Sequence, residues 1–77
     1  MNDFKKRDKV SHPKYGDGKI VQVYVLEEDA SDENVVGLVC AEFGNDIACY
    51  FENQTGKEWD WNTRTLSEVR ITKKPSN

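Results

Sequence analysis

Val10-Ser11-His12-Pro13-Lys14-Tyr15-Gly16-Asp17-Gly18-Lys19-Ile20-Val21 constrains this chain more than any other stretch. Gly16 and Gly18 stand one residue apart, between an aromatic residue and an apolar alternation. Glycine enters the φ > 0 region without steric cost, so the backbone can turn sharply here. Pro13 fixes its own φ and biases His12 toward an extended conformation. The stretch therefore reads as a short strand ending near His12, a tight arch over residues 13–17, and a new strand starting near Gly18.

Side chains alternate along the strand that follows. Val21, Val23 and Val25 fall on one side and Ile20, Gln22, Tyr24 and Leu26 on the other. The all-valine side is the expected core, and Tyr24 is displayed on the opposite, wetter side. In the short strand before the arch, Val10 faces inward between exposed Lys9 and Ser11.

Further strands are expected over 35–43, 47–51 and 69–72. Gly44-Asn45-Asp46 supplies the turn chemistry of a tight hairpin between the first two. A two-residue turn puts Cys40 opposite Cys49. A three-residue loop puts Ala41 opposite Cys49 and Val39 opposite Phe51. The second register lines up Val39, Ala41, Phe43, Ile47, Cys49 and Phe51 on one apolar face and is favoured, leaving Tyr50 outward. Residues 52–64 are the least regular segment. Thr65-Leu66-Ser67-Glu68 fits a capping box, too short for a stable helix but enough for one 3₁₀ turn before the last strand. Residues 1–6 and 73–77 read as frayed tails.

At 77 residues the chain makes one domain, spanning 1–77, with a thin core. Its net charge of −3 does not favour a strongly basic nucleic-acid binder. That charge is local, however. Residues 27–34 hold five acids and no base, and the 14 acidic residues less those five leave nine against 11 basic ones. The run reads as a solvated loop. It lacks the residue order and central glycine of an EF-hand calcium site. No apolar run is long enough to span a membrane, and no apolar stretch follows the N-terminal charges, so a cytoplasmic monomer is expected.

The 10–21 stretch resembles the opening of small Tudor-like, SH3-like barrels of bacterial transcription and repair proteins. Val10, His12, Tyr15-Gly16-Asp17-Gly18 and Ile20 match the pattern of the C-terminal domain of UvrD/PcrA-type helicases. CarD-type and transcription-repair coupling factor polymerase-interacting domains begin similarly, and KOW modules more loosely. The resemblance covers about 15 residues and implies a fold more than a partner. It implies an all-β, five-stranded SH3-like barrel with a long, bent second strand and a 3₁₀ turn before the last one. It also implies RNA polymerase or its associated machinery as partner.

No catalytic constellation is visible. His12 is the only histidine and reads as structural, bonding within the arch. Cys40 and Cys49 match no zinc spacing and lie in expected strands, away from any helix N-terminus that would activate a thiol. Gly16-Asp17-Gly18-Lys19 lacks the spacing of a P-loop. Neither cofactor nor metal is expected, and the chain is read as non-enzymatic.

Surface recognition remains. Tyr15, Tyr24, Trp59, Trp61 and Arg64 are candidate contacts for a protein partner, since Trp, Tyr and Arg dominate interfaces. At least one tryptophan is expected to be buried. An aromatic cage for a methylated side chain would need further aromatics that the sequence does not single out. The alternative is nucleic-acid binding. Adjacent first and last strands would gather Lys5, Lys6, Arg7, Lys9, Arg70, Lys73 and Lys74 into a patch for phosphates.

Overall fold

The computed structural model describes residues 4–25, 37–44 and 46–74. The acidic run at 27–34 lies outside them, as do the chain ends at 1–3 and 75–77. The described chain is all β, with strands β1 (Lys9–His12), β2 (Gly16–Val25), β3 (Gly37–Glu42), β4 (Ala48–Glu52), β5 (Lys57–Asp60), β6 (Thr65–Arg70) and β7 (Thr72–Lys73). They form one antiparallel sheet in the order β6-β5-β4-β3-β2-β1-β7.

That order dictates the shape. Only Ile71 separates β6 from β7 in sequence, yet they hold opposite edges of the sheet. Seven strands laid flat would place those edges about 29 Å apart. One segment therefore pairs with β5 at its start and β1 at its end only because the sheet curls into a half-barrel. Ile71 sits at the switch point, fully buried.

The arch forms as its residues dictate. Gly16 takes φ +80°, in the left-handed region. His12 is buried, and its Nδ1 accepts from the backbone N–H groups of Lys14 at 3.0 Å and Tyr15 at 3.2 Å. Gly18 serves a different purpose. A Cβ there would lie 2.5 Å from the Glu42 carbonyl oxygen and inside contact with the Phe43 ring. The first glycine makes the turn and the second admits β3.

The β3–β4 pairing takes the three-residue-loop register, with Val39 opposite Phe51 and Ala41 opposite Cys49. The inner core is Phe4, Val10, Ile20, Val39, Ala41, Phe43, Phe51 and Ile71, flanked by Tyr15 and Cys49. Ile47, expected on that face, is exposed beyond the end of β3–β4 pairing at Glu42–Ala48.

Further expectations are corrected. The valine side of β2 is not the core. Ile20 pairs with Ala41 and Gln22 with Cys40, so Val21 is an extra residue in a bulge. The bulge shifts the alternation, so that Ile20 and Val23 face the same side, opposite Ala41 and Val39; Ile20 is buried there, whereas Val23 and Val25 are exposed. The N-terminal tail is pinned at Phe4, which is 1% exposed and whose N–H donates to Asn53 Oδ1 at 2.7 Å. At the other end Thr72 and Lys73 pair with β1, and the Lys74 N–H donates to the Lys9 carbonyl. Residues 65–68 belong to strand β6 rather than a 3₁₀ turn, and the sheet has seven strands rather than five. The reason lies in β5, within the segment read as irregular. Its Trp59 pairs with Leu66 and its Asp60 with Thr65, giving the 65–68 backbone a partner that one helical turn cannot match.

Candidate functional site

The outer face of the sheet carries Tyr24, Tyr50 and both tryptophans. Cross-strand pairing sets Tyr24 opposite Leu38, Cys40 opposite Tyr50, Tyr50 opposite Trp59, and Trp59 opposite Leu66. Leu38 and Trp59 form a small second core on this face, flanked by Tyr50 and Leu66. Trp61 comes from the β5–β6 turn. Asp60 shapes that turn, its side chain accepting from the Asn62 N–H at 2.8 Å and its carbonyl from the Arg64 N–H at 2.7 Å.

The rings form a continuous strip. Tyr24 and Tyr50 centroids are 5.8 Å apart, Tyr50 and Trp61 5.5 Å, and Trp59 and Trp61 5.7 Å. Trp61 meets both of its neighbours nearly edge-on, at 85° and 89°, so it stands as a wall rather than lying flat. Tyr24, Val25, Tyr50 and Trp61 line a shallow cleft of about 260 Å³. Trp59 is 3% exposed and Trp61 48%, so one tryptophan is floor and the other is display. The Trp59 Nε1 donor is buried with no hydrogen-bond acceptor among the described residues. Burial, reinforced by the adjacent Tyr24 hydroxyl, pushes the Tyr50 phenol above its ordinary pKa.

The structure therefore brings together Tyr24, Trp59 and Trp61 of the candidate protein contacts and places Tyr15 apart from them. Tyr15 stacks on His12 at 4.5 Å and packs toward Phe43 beside the inner core. Arg64 sits in the β5–β6 turn at φ +58°. Tyr50 was missing from the candidates, although its outward position follows from the hairpin register. What sequence could not supply was its neighbour across β4–β5.

The basic candidates also divide. Arg7, Lys9 and Lys74, with Asp17, Lys19, Glu42 and the glycines Gly18 and Gly44, line a groove of about 560 Å³. Lys74 pairs with Asp17 at 2.7 Å, and Lys73 lies 3.5 Å from Asp8 with its ammonium over the Phe4 ring. Lys5 and Lys6 are exposed in the turn before β1. Arg70 lies elsewhere, opposite Lys57 in the β5–β6 hairpin. Lys19 joins the groove although it was not among the candidates.

His12 Nε2 lies 3.2 Å from Glu58 Oε1. Burial raises the thiol pKa of both cysteines, with Glu42 adding to the effect at Cys40 and Glu58 at Cys49. Thiolate is thereby disfavoured. Among the described residues no three His, Cys, Asp or Glu side chains are grouped to hold a metal, and no helix is long and apolar enough to cross a membrane.

Comparison with known protein families, with curated proteins and with solved structures finds no match for this chain.

Proposed function

We propose that this chain is a non-enzymatic, Tudor-like recognition domain that docks on a protein through the aromatic strip of its outer face. The observation that carries this is Trp61. A half-exposed indole is held edge-on between Tyr50 and Trp59, on a floor that the inner core does not need. Aromatic anchors of this kind supply large contact area at low conformational cost and dominate protein interfaces. Tyr24 and the 86%-exposed Val25 extend the same surface toward the end of β2.

The resemblance of the 10–21 stretch to polymerase-interacting domains points to bacterial RNA polymerase, or machinery attached to it, as the partner. The test is biolayer interferometry of the full chain against purified RNA polymerase, repeated with Trp61→Ala and Lys19→Gln. Trp61→Ala is expected to weaken binding at least about tenfold, the effect of an interface hot spot, while Lys19→Gln binds as the parent does. Failure of the parent chain to bind removes polymerase as the partner. Parent-like binding by Trp61→Ala removes the strip as the contact surface.

A further inference from the structure

We propose that the groove between the start of β1, the start of β2 and the C-terminal segment binds the phosphodiester backbone of a nucleic acid. This site is separate from the aromatic strip and does not depend on the protein-binding reading.

Three observations converge on the groove. The first is an opposed pair of like charges. Lys9 and Lys19 are direct partners across the antiparallel β1–β2 ladder. Like charges in that position repel, and an anion seated between them removes the repulsion.

The second is Arg7. It lies at φ +80°, where a residue bearing a Cβ is strained. Among the described residues the other positions near that angle are glycines, Gly16, Gly44 and Gly56, at φ 79° to 83°. The remaining described non-glycine residues with positive φ, Asp46 and Arg64, lie at 62° and 58°, inside the left-handed well. An arginine where glycine fits better marks a position held for its side chain. A guanidinium recognises phosphate oxygens as a two-pronged donor.

The third is the balance of charge. Arg7, Lys9, Lys19 and Lys74 line the groove against Asp17 and Glu42. Asp17 is engaged by Lys74, and Glu42 stands across the ladder from Lys19. Arg7 and Lys9 have no ion pair with any described residue. All four cations are exposed, so water competes strongly for any single anion. A polymer that touches several of them at once gains from counterion release, which favours a phosphodiester chain over free phosphate.

The test is fluorescence anisotropy with a labelled 12-nucleotide single strand, from 50 to 200 mM NaCl, on the full chain. Arg7→Gly, Lys19→Gln and Trp61→Ala are compared with the parent, with thermal melts of each. Binding should weaken steeply with salt. Arg7→Gly and Lys19→Gln should each lower affinity several-fold and flatten the log–log salt slope by about 0.7, the single-strand value per lost contact. Arg7→Gly should also melt no lower than the parent, because glycine relieves the backbone; a merely structural arginine would do the opposite. Trp61→Ala should bind the strand as the parent does. Absence of parent binding at 50 mM NaCl, or parent-like affinity in both groove variants, overturns the proposal. So does polyglutamate of equal length binding as tightly through the same residues, which would make the groove a site for an acidic protein.

Discussion

His12 Nε2 and Glu58 Oε1 meet at 3.2 Å across 46 residues of sequence, joining the arch to strand β5. The opposite ring nitrogen already accepts from the Lys14 and Tyr15 N–H groups. The ring proton therefore sits on Nε2 and donates to the carboxylate. One buried side chain ties the arch between β1 and β2 to the fifth strand, while its faces pack on Tyr15, Phe43 and Phe51.

Replacing His12 by phenylalanine keeps the ring packing and removes all three hydrogen bonds. Two backbone donors then lose their acceptor, a loss expected to cost about 2–4 kcal/mol in urea unfolding. Glu58→Gln retains an acceptor oxygen at a partly exposed position and should cost under about 1 kcal/mol. Equal losses in the two variants would mean that the arch does not depend on Nδ1.

The two glycines of the arch should separate by mechanism. Gly16→Ala meets open space but must hold φ +80°, a penalty of about 1–2 kcal/mol. Gly18→Ala drives a methyl into the Glu42 carbonyl and the Phe43 ring. Neither neighbour is the loose end of a flexible side chain, so about 3 kcal/mol or non-folding is expected. Thermal melts that rank Gly16→Ala below Gly18→Ala would contradict this account of the tandem glycines.

Local chemistry made part of this fold legible. Gly16, Pro13 and the Gly44–Asp46 turn act over a few residues, and the continuous apolar face of β3 and β4 selects one register over the other. The bulge at Val21 was not legible, because either face of that strand can be written as apolar and only pairing with β3 decides between them. Phe4 is held by Asn53, 49 residues away. Thr65-Leu66-Ser67-Glu68 carries a helical capping signal that pairing with β5 overrides. In the candidate site, Trp59 and Trp61 were visible as a spaced pair, whereas their junction with Tyr50 and Tyr24 depends on four strands lying side by side.

The two tryptophans should respond differently. Trp61→Ala removes a half-exposed ring and should change stability by no more than about 1 kcal/mol. Trp59→Ala opens a cavity beside Leu38 and should cost about 3–5 kcal/mol. Trp59→Phe is the informative variant. It gives up part of the ring but also deletes the buried Nε1 donor that has no acceptor among the described residues. Its cost should fall well below that of Trp59→Ala; equal costs would show that the indole N–H is contributing a bond.

Alkaline pH should weaken the fold through three neutral groups. The Cys40, Cys49 and Tyr50 pKa values all lie above their ordinary values, burial being the largest cause in each. For each group the unfolded chain releases its proton at lower pH than the folded one. Stability is therefore fully present below the ordinary thiol pKa of about 9 and declines as pH rises through the elevated values of the fold. Urea midpoints measured from pH 7 to 11 should fall beyond about pH 9. Tyr50→Phe, which keeps the ring against Trp59 and Trp61, should flatten the upper part of that decline. A midpoint constant to pH 11, or a Tyr50→Phe profile parallel to the parent's, would show that burial of these groups is too shallow to bias ionisation.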